Sequence, residues 1–188
     1  MNITEGKETL NWADTIFPLE NYKSVLYVGM HPFTLSKWGG DYFLSHIERY
    51  TKTKCTVVEI NKKFIDFLSI HPIAKTHNFT FVHSSIQDFL VNTVEKFDCV
   101  IWWHGPEHLS KNTSMEIIKG FEDVCSNGVI ILGCPCGHDP YDDGEDRHYW
   151  EVYPADFESL GFKTKLINRL NSPPAISAIK RIEKNGRI

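Results

Sequence analysis

The residues with the most chemistry to offer crowd the end of one apolar run, where Phe97-Asp98-Cys99-Val100-Ile101-Trp102-Trp103 leads into His104-Gly105-Pro106-Glu107-His108. Two imidazoles and a carboxylate packed this closely can take up or hand on a proton near neutral pH, because histidine titrates there. Another acidic residue, Glu59, closes the apolar run Thr56-Val57-Val58 and is followed by Ile60. A carboxylate in that place can accept two hydrogen bonds from vicinal hydroxyls such as those of a ribose. Upstream of both, Val25-Leu26-Tyr27-Val28 ends in Gly29. Open α/β sheets bind ligands at the carboxyl ends of their strands, so three apolar runs that each end in polar residues describe a nucleotide-type site.

More ionisable side chains gather between Cys134 and Trp150, a stretch too long for an ordinary connection and of a composition found in functional or disordered loops. Within it, Arg147 and His148 can grip an acidic or hydroxylated substrate, and His138 is a further candidate for that contact; alternatively Arg147 pairs with Asp142, Asp143 or Glu145 at little energetic gain. Cys134, Cys136 and His138 offer three metal donors, but without the paired C-x-x-C of recognisable zinc sites, so no metal is assigned.

Holding these groups requires a regular alternation of elements. The pattern predicts strands over 24–29, 55–60, 79–83, 97–103 and 128–133, with helices over 40–51, 62–70, 86–92 and 111–124. Continuous apolar strands alternating with helices mean a mostly parallel sheet covered on both faces. A short helix over Ala155–Leu160 precedes two strand candidates, Lys163–Leu170 and Ala175–Ile182. Only Asn171-Ser172-Pro173-Pro174 separates the two, so they must pair as an antiparallel hairpin. No repeat or linker divides the chain, and residues 1–188 read as one domain with an N-terminal segment (1–20) and an acceptor-side loop or lid (134–153).

Composition narrows the partners. A net charge of −4 lacks the basic excess that phosphate-backbone binding needs, which argues against nucleic acid. No stretch is apolar for long enough to cross a bilayer, and the polar, acidic N-terminus does not read as a signal peptide, so a cytoplasmic protein with reduced thiols is expected.

Taken together, the order of elements and several of these stretches resemble the class I S-adenosylmethionine-dependent methyltransferases, over roughly residues 20 to 182. Val25 to Phe33 looks like the family's first strand and glycine loop, with Gly29 kept, His31 and Phe33 standing where the other glycines fall, and Gly39-Gly40 ahead of the first helix. Phe81-Val82-His83-Ser84-Ser85-Ile86 resembles the segment that contacts adenine, with Ser85 where Asp is frequent; Ser84 or Ser85 also suits a helix N-cap. Glu107-His108-Leu109 is similar to the Glu-His-Leu that follows the fourth strand, although His104 replaces an acidic residue. His148, Trp150, Asp156-Phe157 and Leu160-Gly161-Phe162 match the later part of a subset of small methyltransferases.

The resemblance implies a doubly wound, seven-stranded sheet of order 3-2-1-4-5-7-6 with strand 7 antiparallel and helices on both faces. It implies S-adenosyl-L-methionine as cofactor, held by Gly29, His31, Glu59, Ile60, Ser85, Ile86, Trp102 and Trp103. Catalysis then falls to His104, His108 and His148, and acceptor binding to Glu107, His138, Arg147 and His148. The acceptor would be a small molecule, such as a sugar or glycan precursor, methylated on oxygen or nitrogen. Two rival readings are a catalytically inactive binder of S-adenosylmethionine or S-adenosylhomocysteine, and a nucleotide- or NAD-using enzyme. Against the latter, there is no G-x-G-x-x-G, and Glu59 comes thirty positions after Gly29, where the dinucleotide fingerprint expects about 20.

Overall fold

The computed structural model describes residues 3–18, 22–30, 53–76, 78–138, 147–169 and 172–183. Seven strands, β1 (Ser24–Val28), β2 (Lys54–Glu59), β3 (Phe79–His83), β4 (Phe97–Trp103), β5 (Cys125–Pro135), β6 (Lys163–Arg169) and β7 (Ser172–Arg181), join in one sheet of order β3-β2-β1-β4-β5-β7-β6. The first five run parallel, and β7 is antiparallel to both β5 and β6. This is the strand order that the resemblance implies, with the antiparallel end hairpin that the short 171–174 connection requires. Because Val28 pairs with Val58 and with Trp102, and Glu59 with His83, the polar residues that end these strands lie along one edge of the sheet.

The central strands are apolar on both sides because both sides are covered, and Val129 to Leu132 are fully buried. Side chains alternate between the faces with the period of two that a strand imposes. One face carries Leu26, Val28, Val100, Trp102, Ile130 and Leu132 against α4 (Ile86–Asn92), α5 (Lys111–Val124) and α6 (Pro154–Glu158), where Phe121 and Phe157 fill the layer. The opposite face carries Val25, Tyr27, Val57, Cys99, Ile101 and Trp103 against Leu10 and Ala13 of α1 (Ile3–Ile16) and Leu68 of α2 (Lys62–Ile70), and a short α3 (Pro72–Thr76) follows α2. Side-chain oxygens cap the helix starts: Asn61 accepts from the Lys63 amide, Ser85 from Asp88 and Ser110 from Thr113.

The short α3 has no counterpart in the sequence expectation, and three other elements depart from it by more than two residues. Residues 3–16, read as an unassigned N-terminal segment, form α1, which buries Leu10 and Ala13 and ties Thr9 Oγ1 to Ser177 Oγ at 2.5 Å in β7. The last strand begins at Ser172, not Ala175, and takes in both prolines; Pro174 gives its carbonyl to the Cys136 amide at 2.8 Å, and proline is tolerated near a strand's start. β5 begins at Cys125, ahead of the predicted 128, with Asn127 held at a φ of 52°. The predicted helix over 40–51 lies outside the described residues. No described helix is long and apolar enough to cross a membrane.

Candidate functional site

At the end of β2 the Glu59 side chain is only 8% exposed, and its Oε1 accepts the Asn61 amide at 2.6 Å. Burial raises its pKa above the ordinary carboxylate value, while the Asn61 and Ile60 amides and nearby His83 pull the other way. Beside it, Gly29 sits at a φ of 72°, donates its amide to Val58 O at 2.9 Å, and has nothing within 4 Å of where a Cβ would stand. Ile60 is 70% exposed, an apolar side chain left uncovered at the strand end. After β3, Ser85 uses its hydroxyl as the cap of α4, accepting from the Asp88 amide at 3.1 Å and donating to Asp88 Oδ2 at 2.6 Å, while Ile86 is buried in the core. His31, Phe33 and Gly39-Gly40 lie outside the described residues.

At the end of β4, Trp102 and Trp103 belong to opposite layers. Trp102 meets Phe121 edge-on with ring centroids 5.5 Å apart and lies against Gly105, while Trp103 packs in the α1 layer with its ring centroid 6.1 Å from that of His104. His104 then takes a φ of 50°, a left-handed conformation that costs a non-glycine residue about 1 kcal/mol or more. Its amide donates to Gly133 O at 2.8 Å, which fixes the bend to the neighbouring strand. From there the chain drops into the 3₁₀ turn Pro106–His108 and buries Glu107 to 1% exposure. Neither Glu107 carboxylate oxygen accepts a hydrogen bond from any described residue; His104 Nδ1 stands 3.3 Å from Oε1.

The far end of the 134–153 segment docks onto this turn. The Tyr149 amide donates to Glu107 O at 2.8 Å, and Trp150 Nε1 and Ser114 Oγ both donate to Pro106 O, at 2.8 and 2.7 Å. His108 Nδ1 donates to Arg147 O at 3.3 Å, and Lys111 pairs with Asp156 at 2.5 Å while its ammonium lies 5.4 Å from the Trp150 ring centroid. This stitching brings His148 to His108 with ring centroids 5.1 Å apart, and donor atoms of Glu107, His108 and His148 all lie within 4.8 Å of one another.

The structure therefore gathers His104, Glu107, His108 and His148 at the end of β4, and Gly29, Glu59 and Ile60 at the ends of β1 and β2. His138 is exposed, and the Arg147 guanidinium lies 5.6 Å from the Tyr149 ring centroid. Cys134 is buried in the α5 layer and Cys136 packs against it, its thiol pushed up by burial, so neither joins His138 in a donor cluster among the described residues. Sequence reasoning passed over Ser114 and the strained His104 backbone. A small polar residue on the otherwise buried face of α5 was the available signal for the former; the latter has none in the sequence.

No family model matches this chain, and no curated protein matches its sequence. Solved structures do match its fold. The N-methyltransferase NodS from Bradyrhizobium japonicum WM9 superposes with a TM-score of 0.69 at 11% identity, over 96% of each chain. An O-methyltransferase family protein from Burkholderia thailandensis gives 0.65 at 9%, over 97% of this chain and 57% of that one. The magnesium protoporphyrin IX methyltransferase ChlM from Synechocystis PCC 6803 gives 0.62 at 15%, over 94% of this chain and 78% of that one. The chain has the fold of the class I S-adenosylmethionine-dependent methyltransferases, with their sheet order and antiparallel last strand.

Proposed function

We propose that this chain is an S-adenosylmethionine-dependent methyltransferase acting on an oxygen or nitrogen of a small-molecule acceptor, with a sugar or glycan precursor as the favoured class. The observation that carries the reading is Glu59, a buried carboxylate at the end of β2, beside the open Gly29 turn. The residues suit the cofactor. Glu59 offers acceptors to the ribose hydroxyls, Gly29 leaves room for close approach, and exposed Ile60 offers an apolar face to the adenine. Ile86, the Ser85 backbone and His31 complete the proposed cofactor set. Trp102 and Trp103 contribute through the walls they build, being packed in the two layers.

When bound, S-adenosylmethionine supplies an electrophilic methyl on a sulfonium. The chain's own part is to hold the acceptor in line with that methyl, a positioning effect that can be worth roughly 7–11 kcal/mol. His104 or His108 takes the proton that the acceptor gives up, with the Glu107 carboxylate 3.3 Å from His104 Nδ1. His148, Arg147 and His138 grip the acceptor within a single catalytic unit, as parts of the 134–153 loop or lid, of which residues 139–146 lie outside the described residues. Fold neighbours that include an N-methyltransferase and an O-methyltransferase family protein are compatible with either acceptor atom.

The test is thermal unfolding with S-adenosylmethionine, S-adenosylhomocysteine, NAD and ATP. At a hundredfold excess over Kd, native-state binding adds about 2.7 kcal/mol, or roughly 5–10 °C for a domain of this size. A shift with the two sulfur ligands alone supports the proposal; a shift with NAD or ATP alone overturns it. A second reading, a binder without turnover, is favoured by His104, which stands where the family often carries an acidic residue and takes a left-handed backbone there. Methyl transfer to any acceptor from a small-molecule panel removes that reading.

A further inference from the structure

The sequence reading treated Glu107, His108 and His148 as separate acid–base and substrate-gripping groups and assigned no metal. The geometry points to a divalent metal site formed by these three side chains. Their donor atoms lie within 4.8 Å of one another, although His148 comes from a different segment than the other two. Bonds of about 2.0–2.2 Å to imidazole nitrogen and carboxylate oxygen draw such donors closer still, a closure that rotation of the half-buried His108 and His148 rings can supply.

Two further observations, independent of this proximity, point to a ligand. The first is Glu107. A carboxylate 1% exposed is costly to keep without compensation, yet neither of its oxygens accepts a hydrogen bond from any described residue. His104 Nδ1, 3.3 Å from Oε1, faces it on the strand side and makes no hydrogen bond to it. A cation answers that deficit. The second is His108. Its Nδ1 faces the Arg147 carbonyl, an acceptor only, which leaves Nε2 as the nitrogen that can ligate. A backbone carbonyl on the far nitrogen is the outer-shell partner that metal-ligating histidines characteristically have.

Two imidazoles and one carboxylate suit a first-row transition ion, since Mg²⁺ and Ca²⁺ prefer oxygen donors throughout. Three protein ligands leave coordination positions open, as in sites that bind substrate directly. On the methyltransferase reading, an acceptor hydroxyl would occupy an open position, where the cation would lower its pKa and hold it in register, and the proton would pass to His104, since a ligating His108 has no lone pair left to take it. That last step rests on the proposed function; metal binding itself does not.

The experiment titrates Co²⁺, Zn²⁺ and Mg²⁺ into the full chain, purified without a histidine tag and stripped with chelator. Visible absorption of Co²⁺ and competition by Zn²⁺ report occupancy. One equivalent of Co²⁺ or Zn²⁺ should bind, with Mg²⁺ weaker. Because changing an outer-shell partner alone costs 10–100-fold in metal affinity, His108→Ala and His148→Ala should each weaken binding about 100-fold or more, while Cys136→Ser leaves it unchanged. His148 lies in a loop, so its variant should stay folded even if a substitution at buried Glu107 does not. No stoichiometric Co²⁺ or Zn²⁺ binding, or binding that survives both histidine substitutions, overturns the site. Cofactor binding is read separately by thermal shift. If the metal binds and S-adenosylmethionine does not, the function reading fails and the site stands.

Discussion

His108 and His148 meet edge-on with ring centroids 5.1 Å apart, and the contact exists because the backbone around each is tied to the other. Arg147 accepts from His108 Nδ1, and Tyr149 donates to the Glu107 carbonyl, so the residues flanking His148 are bonded directly to the turn that ends β4. The strained bend at His104, the buried Glu107 and the returning segment thus behave as one unit, and a change in any part should be felt in the others.

Replacing Glu59 should separate binding from stability. Its folded-state pKa is raised above the ordinary 4.5, so the protonated form favours folding; that contribution is fully present below pH 4.5 and is lost as pH rises through the raised value. Wild type therefore carries a cost at pH 7 that Glu59→Gln lacks. The variant should melt higher than wild type at pH 7 and show no advantage below pH 4.5. A lower melting point at pH 7 would mean that the Asn61 and Ile60 amides outweigh the desolvation. Glu59→Ala should weaken S-adenosylmethionine binding by about 1.5–3 kcal/mol, the scale of a hydrogen bond to a charged group.

His104 carries both a backbone and a side-chain role, which two substitutions tell apart. At a φ of 50°, glycine is relaxed and alanine is not, so His104→Gly should be more stable than His104→Ala by about 1 kcal/mol. Both should keep cofactor affinity and lose about 10²-fold in kcat, as removal of a general base does. Full turnover in either variant would make the residue structural.

Gly105→Ala tests the packing behind the turn. A Cβ there would stand 1.8 Å from Trp102 Nε1, which forces the indole out of its contact with Phe121. Overpacking of this kind costs about 1–3 kcal/mol, read as a lower melting temperature together with a change in near-ultraviolet circular dichroism. An unchanged spectrum would show that the backbone gives way instead.

Trp150→Phe keeps the ring and removes its hydrogen bond to Pro106 O, leaving that carbonyl to Ser114. The stability loss should be about 1 kcal/mol. Acceptor KM should rise more than kcat falls, because the segment that carries His148 is held less firmly. Equal falls in kcat and kcat/KM would place Trp150 in the reaction itself.

The sheet was legible because its strands are nearly continuous apolar runs bounded by turn residues; β3, α2, α4, β4 and α5 match their predicted limits. β5 was read too short because Ser126-Asn127-Gly128 looks like a turn, whereas Asn127 absorbs the irregularity with a left-handed backbone inside the strand. α1 escaped because its buried face includes Thr9, satisfied by Ser177 from a strand far along the chain, a pairing no local pattern reveals. Glu59, Glu107 and the histidines stood out as residue types at strand ends. Their grouping did not, since it depends on hydrogen bonds from Tyr149 and Trp150 to a turn that precedes α5.

The position of β7 has a consequence for how the molecule is made. Lying between β5 and β6 in space but after both in the chain, it leaves β5 with one unpaired edge until β6 and then β7 have left the ribosome. That edge belongs to a strand buried from Gly128 to Pro135 in the finished sheet, an invitation to stick to a neighbouring nascent chain. A chain stopped just before Ser172 would hold the residues of both candidate clusters and still be sticky, so losing the hairpin's second arm should show up first as insolubility.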